Sequence, residues 1–419
     1  MAVAGFIALL LVLLVLRQSI ILIVAAGTAY VHVFFAASKL EFFIQDIWIA
    51  IDREVLLPIP MFMLAGAVMT RGEIAKRLIR IMVALTAPFR GGLGIAAVSS
   101  CALFAAISGS SVVTMLAIGA IMYPALLQER YDKHFALGSL ATAGTLGMII
   151  PPSIAMIIYG IVTEVSIVDL FLAGVLPGLV LTALLCAYSL WANRGLRPGA
   201  FDLAELATAL REGVFALLLP VILLGGIYSG YFTATESAAV TLFYAIAIEL
   251  FVHKDMKARD LIDIVLETAM LLGTLLPLLA IASSLNTILE FEGIPQTLAR
   301  LIGEMIENRW LVILSINLLL LVVGCFMDAI SALIILSGIL LPVVQSHGFD
   351  PVHFGIIMVV NLEIGFITPP VGLNLLVAMI AFKEKFGTVV VSVVPFLFVM
   401  LLGLAIITAL PQLSTALIQ

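Results

Sequence analysis

Two short polar islands and two proline pairs hold most of the chemistry this chain can offer. The islands are Ser108-Gly109-Ser110-Ser111, with Thr114 one turn further on, and Met327-Asp328-Ala329-Ile330-Ser331. The proline pairs lie in Thr145-Leu146-Gly147-Met148-Ile149-Ile150-Pro151-Pro152-Ser153 and in Glu363-Ile364-Gly365-Phe366-Ile367-Thr368-Pro369-Pro370-Val371. The two segments match position for position, at the constant offset that carries Pro151 onto Pro369. Both islands and both pairs sit inside long apolar stretches. Proline removes a backbone donor and breaks a helical ladder. In hydrocarbon a freed carbonyl is tolerated only where something re-satisfies it. Two broken helices at matching positions of two halves are the sequence pointer to a carrier's ion and substrate site. Helix N-termini offer unpaired N–H groups and positive charge to a carboxylate, and C-termini offer carbonyls to a sodium ion. The first sodium set is therefore expected at Ser108, Gly109 and Ser110, faced by Gly144, Gly147 and Ser153. The second is expected at Asp328 and Ser331, faced by Thr368 and Gly372. Ser111, Thr114, Thr145 and Asn374 are the expected substrate contacts between them.

Several of these residues have a second reading. A lone carboxylate between apolar runs is a functional candidate, yet Asp328 also suits the N-cap of a helix starting at Ala329, and the two roles are compatible. Glu363 reads equally as a contact of the substrate site or of a partner helix. Glu236 reads as a cap in a turn. His134 and His353 read as interfacial, and Asn361 and Asn374 also suit bonds between helices. Ser99, Ser100, Gly92 and Gly94 read as helix-packing contacts. Nucleophilic catalysis by Ser108 or Asp328 would need an activating base; no His or Lys neighbours either island in sequence, so the chain is read as not an enzyme.

The elements that must position these groups are membrane helices. Of 419 residues, 63% are hydrophobic and 11% charged, against about 25% charged in soluble domains. The expected fold is an all-α polytopic membrane protein. The three Cys and five His show neither disulfide framework nor metal-ligand spacing, no phosphate-binding glycine loop is present, and nothing suggests nucleic acid. The apolar N-terminus lacks a basic start and a cleavage site, and is expected to be a retained span.

Ten crossing segments are expected, at 2–16, 18–36, 53–70, 134–161, 170–192, 212–231, 236–252, 262–288, 352–382 and 388–411. The runs 91–127 and 309–345 each place a polar tip between two apolar arms and read as re-entrant hairpins. The stretches 72–86 and 294–307 are amphipathic and read as interfacial struts. On this topology sixteen of the twenty Lys and Arg, among them Arg17, Arg71 and Arg130, face the cytoplasm as the positive-inside rule requires; Lys39, Arg53, Arg300 and Arg309 lie outside. Glu304, Glu307, His347 and Asp350 flank the second hairpin on the outer side, and both termini lie outside. Pro124 and Pro342, Asp132 and Asp350, and Gly147 and Gly365 share the offset of the proline pairs, and the turn Arg17-Gln18-Ser19 matches Thr235-Glu236-Ser237. Each half then has five crossings and a hairpin, so the halves, 1–197 and 198–419, are inverted relative to one another, with the linker at Arg194-Gly195-Leu196-Arg197-Pro198-Gly199-Ala200.

The motifs Ile107-Ser108-Gly109-Ser110-Ser111, Ala143-Gly144-Thr145-Leu146-Gly147, Phe326-Met327-Asp328 and the run from Asp350-Pro351-Val352-His353-Phe354-Gly355 through Asn361-Leu362-Glu363-Ile364-Gly365 to Thr368-Pro369-Pro370-Val371-Gly372-Leu373-Asn374 resemble the large membrane subunit of tripartite ATP-independent periplasmic (TRAP) transporters, over essentially the whole chain. The resemblance implies an elevator-type, sodium-coupled importer of an organic acid such as a C4-dicarboxylate or sialic acid, in the bacterial inner membrane. It implies a separate small four-helix membrane subunit and a periplasmic substrate-binding protein as partners, and no cofactor beyond the coupling sodium. The rival expectation is a stand-alone ion–dicarboxylate carrier of similar design that needs no binding protein.

Overall fold

The computed structural model describes residues 2–16, 18–34, 40–306 and 308–418. Arg17 in the first turn, Lys39 of the outer cations, Glu307 beside the second hairpin and the last two residues of the expected span 18–36 lie outside the described residues. The architecture of the described residues is all-helical, and ten helical segments among them are long and apolar enough to cross a membrane.

The chain opens with α1 (Ala2–Val15), α2 (Ile20–Phe34) and α3 (Leu40–Ile51), then a single 3-10 turn and α4 (Pro58–Arg71). Pro58 begins α4, where its missing N–H costs nothing. The amphipathic stretch at 72–86 forms α5 (Ile74–Thr86). The first hairpin is α6 (Gly92–Ser108) and α7 (Ser111–Gln128), the first broken helix α8 (Lys133–Ala143), α9 (Leu146–Ile149) and α10 (Ile154–Thr163), and the half closes with α11 (Ile167–Ala192). The second half follows with α12 (Leu203–Tyr228), α13 (Ala234–Ala247) continued by a π-helical turn at Ile248–His253, α14 (Ala258–Phe291), α15 (Ile294–Met305), the hairpin α16 (Arg309–Phe326) and α17 (Ala329–Ser346), the broken helix α18 (Pro351–Phe366) and α19 (Leu373–Ala381), then α20 (Phe386–Ala409) and α21 (Gln412–Thr415).

Helix bounds in the two halves follow one offset. Both ends of α17 are displaced from the ends of α7 by the step that separates the two proline pairs. Asp132 caps α8 by accepting from the Phe135 N–H, and Asp350 caps α18 by accepting from the N–H groups of Val352 and His353. α14 is continuous over the positions where the first half has α3, the turn and α4. α3 is an element the sequence reading passed over: its Gln45, Asp46 and Glu41 interrupt the apolar run, and it packs along α14. Glu236 is a cap as expected, closing a capping box with Thr233.

Position in depth comes from what the hairpin tips touch. The first broken helix runs 31 residues, Lys133–Thr163, enough to cross a bilayer, and its midpoint lies at Met148. The first tip packs beside Gly147. In the second half Gly324, in the last turn of α16 before the tip, packs beside Gly365, near the middle of 351–381. The first tip therefore stands level with the middle of a segment long enough to cross a bilayer.

The strut α5 is pinned by a fully buried carboxylate. Glu249, in the π-helical turn, accepts from the backbone N–H groups of Glu73 (3.1 Å) and Ile74 (2.9 Å) and lies 3.2 Å from His253 Nδ1. These are orphan donors at a helix N-terminus, where negative charge is favourable. Gly72 leaves room: a β-carbon there would overlap the Glu249 carboxylate. At the opposite hinge, between α19 and α20, Glu384 accepts from Lys133 (2.7 Å) and Tyr123 (3.0 Å), tying three elements together; the Lys133 ammonium holds its carboxyl below the usual range.

Glu249→Ala leaves two buried N–H groups at α5 without their charged acceptor, at a cost of about 1.5–3 kcal/mol. Thermal unfolding of the purified protein should show a melting temperature lower by several degrees; wild-type melting would show that this contact does not hold the strut.

Candidate functional site

The first tip is built from three local choices. Gly109 ends α6 in the left-handed conformation (φ 61°), which glycine adopts without steric cost. Ser110 caps α7, its Oγ accepting from Val113 N at 3.5 Å. Ser108 Oγ is paired with Thr114 Oγ1 at 2.6 Å. The hydroxyls of Ser108 and Thr114 thus hold one another across the turn, and among the described residues no base pairs with Ser108.

The facing backbone is opened by the prolines. Pro151 and Pro152 have no N–H, so the carbonyls of Gly147 and Met148 lose their helical donors. Ser153 replaces one: its hydroxyl donates to the Met148 carbonyl while its oxygen caps α10 at Met156 N (3.3 Å). Gly147 lets the two backbones touch, since a β-carbon there would overlap the Ser110 carbonyl oxygen. Gly109 meets Pro152 less tightly, a β-carbon standing 3.1 Å from its carbonyl oxygen, and Ile154 N–H donates to the Gly109 carbonyl at 3.4 Å. Gly144 sits one turn away, against Met115 rather than the tip. Thr145, in the turn between α8 and α9, is fully buried and donates to the carbonyl of Thr142 at the end of α8.

The second tip solves the same problem with a charge. Asp328 caps α17; Ser331 donates to it twice, from N–H to Oδ2 (2.8 Å) and from Oγ to Oδ1 (2.6 Å). Capping and a place at the cavity wall coexist in one residue. Behind it, Gly324 and Gly365 bring α16 and α18 into backbone contact: a β-carbon on Gly365 would lie 2.5 Å from Gly324 Cα. Gly372, at φ 53°, donates its N–H to the Cys325 carbonyl at 3.1 Å. Ile154 and Gly372 are matching positions of the repeat, so the same backbone N–H in each half ties break to tip. Thr368 turns its hydroxyl back to the Ile364 carbonyl. Both proline pairs contain a cis peptide bond, Pro151-Pro152 and Pro369-Pro370.

Between the two tips lies a cavity of about 510 Å³. Ser108, Ser110 and Ser111 line it from the first tip, and Asp328, Ile330 and Ser331 from the second, with Met148 and Phe366 beside them. Of the expected substrate residues, Ser111 reaches this cavity; Thr114, Thr145 and Asn374 are fully buried behind its lining. The far wall was not expected from the sequence. It comes from α4 and α14, and it carries an ion pair, Arg71–Glu267, that bridges them. Among the described residues, Arg71 is the one cationic side chain of the lining. Gly66 of α4 was also missed; a β-carbon there would stand 3.2 Å from Ser108 Cα, so α4 packs directly on the first tip.

Chemically, the arrangement presents hydroxyls and the Asp328 carboxylate from the tips, and the Arg71–Glu267 pair from the far wall, to a small, largely apolar-walled space. That suits a hard monovalent cation and an anion bound together, and it holds no nucleophile–base pair at either tip.

The model of the family described as "Tripartite ATP-independent periplasmic transporter, DctM component" matches residues 6–413. The chain is 42% identical over 369 residues to the C4-dicarboxylate TRAP transporter large permease protein DctM of Pseudomonas aeruginosa, covering 87% of this chain and 86% of that one. It is 34% identical over 408 residues to the ectoine TRAP transporter large permease protein TeaC of Halomonas elongata, covering 96% and 95%. Among solved structures, the YdaH transporter of Alcanivorax borkumensis aligns over 90% of this chain and 88% of its own with a TM-score of 0.61 at 15% identity, a likeness of fold.

Gly365→Ala forces α16 and α18 apart, an overpacking cost of about 1–3 kcal/mol, and should abolish uptake at unchanged membrane abundance. Gly195→Ala, in open space, should leave both stability and uptake as in wild type. Equal behaviour of the two variants in a reconstituted uptake assay would refute the close contact.

Proposed function

The chain belongs to the DctM-component family of TRAP transporters, and from that premise we propose that it imports an organic acid, coupled to sodium, with the acid delivered by a periplasmic binding protein. It is a multi-pass inner-membrane transport subunit and not an enzyme. The observation that carries the finer reading is the pair of tip–break contacts on either side of one cavity. The first brings Gly147 and the backbone at Pro152 against the tip, the second ties Gly372 to the end of α16 beside Asp328, and this supports a sodium set of Ser108, Gly109, Ser110, Gly147 and Ser153 in one and Asp328, Ser331, Thr368 and Gly372 in the other, with Gly144 one turn away against Met115.

In this reading sodium binds between each tip and its break. Carbonyls and hydroxyls held at fixed spacing replace its water shell. The substrate carboxylate lies in the cavity between, near Ser111, where bound cations offset the Asp328 charge and α7 presents its N-terminus. Thr114 acts at one remove by holding Ser108. Thr145 and Asn374 lie in the walls behind the substrate. C4-dicarboxylates and sialic acid fit the carboxylate requirement.

Movement follows from which elements are tied. The hairpins and broken helices share backbone contacts and form the moving body. Helices α2, α4, α13 and α14, which pack among themselves or flank the cavity, form the scaffold, and the struts α5 and α15 join the two. The offset shared by helix bounds supports reading 1–197 and 198–419 as inverted copies, which places an equivalent gate on each side of the bilayer. A small four-helix subunit and the soluble binding protein complete the assembly.

Reconstituted with both partners, the protein should accumulate substrate only with an inward sodium gradient, and Asp328→Ala should reduce uptake by at least about tenfold. Full uptake with sodium replaced by choline would refute the coupling. Uptake that persists without the soluble component would identify a stand-alone carrier instead.

A further inference from the structure

The far wall of the cavity carries charge that the two tip sites do not use. There Arg71 Nη2 donates to Glu267 Oε1 at 2.5 Å. The contact is single-point: among the described residues, that one bond is all the guanidinium makes to an acceptor. An arginine fork can hold a carboxylate through two parallel N–H groups, so most of its donors are left for another acceptor. The two side chains are 38% and 58% exposed. A pair this open contributes little to stability. A cation in the last turn of a helix such as α4 is ordinary, but that does not explain why both charges stand on the wall of a largely apolar cavity.

The helix that carries Arg71 also fixes its distance from the first tip. Gly66 of α4 stands against that tip, where a β-carbon would lie 3.2 Å from Ser108 Cα. Arg71 follows on the same helix, about 7.5 Å further along its axis. The cavity is continuous over that interval: Met63, Ala67 and Thr70 line it along α4, and Ser108 and Ser111 line it from the tip. The other polar groups of the far wall are engaged, because the hydroxyls of Thr70, Thr268 and Thr274 each donate to a carbonyl of their own helix. Of the charged groups on the lining, Asp328 and Glu267 are negative and Arg71 is positive. An anion held at Ser111 therefore has its cationic side chain on the opposite wall, beyond the reach of that same carboxylate but within reach of a second one.

We propose that Arg71 is a specificity-determining residue that selects acids with two anionic ends, exchanging its bond to Glu267 for the end of the substrate distal from Ser111. The inference rests on the reading of the chain as an organic-acid carrier and narrows that reading to dianions. Glu267 holds the guanidinium in the empty cavity and is displaced by the incoming carboxylate, which the fork takes through two N–H groups. A monoacid of the same length brings only an apolar tail to this wall. It leaves the Arg71–Glu267 pair in place and gains no counter-charge.

The test is thermal stabilisation of the purified membrane assembly in saturating sodium, titrated with succinate and with butyrate, in wild type, Arg71→Gln, Arg71→Lys and Glu267→Gln. The proposal expects half-stabilising succinate to rise at least about tenfold in Arg71→Gln and to recover in part in Arg71→Lys. In Glu267→Gln, where the competitor is gone, it should fall by about threefold. The response to butyrate should be the same in all four proteins. A purely structural ion pair predicts otherwise: both glutamine variants would weaken succinate alike, or change succinate and butyrate alike, and either result overturns the proposal, as does a wild-type response in both. If Arg71→Gln does not fold, the sign of the change in Glu267→Gln decides. Wild-type protein that ignores succinate while the complete assembly takes up another acid with sodium would overturn the dianion assignment and leave the carrier reading intact. Uptake indifferent to sodium would overturn that reading instead.

Discussion

Backbone-to-backbone contact at four glycines holds the functional centre together. Gly109 and Gly147 bring the first hairpin tip onto the first broken helix; Gly324 and Gly365 bring α16 onto α18. Only where side chains are absent can carbonyl dipoles from two helices approach one point. Proline then supplies what glycine makes reachable. It strips donors from the facing stretch of helix, so that carbonyls there lose their ladder partners. Close approach and lost donors are each unfavourable alone, and together they make a polar site in a medium that tolerates none.

The remainder of the structure can be read as support for that contact. Asp132 and Asp350 fix where the broken helices begin. Ser153 and Thr368 take up carbonyls beside the breaks, which limits how much backbone remains open. Hydrogen bonds from Ile154 to Gly109 and from Gly372 to Cys325 set the register of break on tip. Charges such as the Glu249 cap on α5 and the Glu384 contact are partnered, as are Arg71 and Glu267 on the cavity wall, while the Asp328 carboxylate stands at the second tip with Ser331 as its partner.

Much of this was legible in the sequence because prolines, glycines and caps act locally. The proline pairs, the Ser108–Ser111 and Asp328–Ser331 tips, the capping roles of Asp328 and Glu236, and both struts follow from residues within a few positions of one another. What was not legible depends on distant pairing. α3 was hidden because polar residues interrupt its apolar pattern and its partner α14 lies in the other half of the chain. The Glu249 cap on α5 spans 175 residues, and the Arg71–Glu267 wall of the cavity likewise joins the two halves. Gly66 gave no signal among other small residues of a membrane helix. Glu363 was visible as an intramembrane acid, and the structure buries it fully on α18. Thr145 illustrates the converse: a hydroxyl in the right segment that turns to its own backbone.

Hydrogen–deuterium exchange of the purified protein in sodium and in potassium tests the central claim most directly. If opened backbone at the tips is a cation site, sodium alone should slow exchange, and the slowing should concentrate in 107–114 with 144–154 and in 325–331 with 365–374. Equal exchange in the two salts, or sodium protection spread evenly over the helices, would contradict the account.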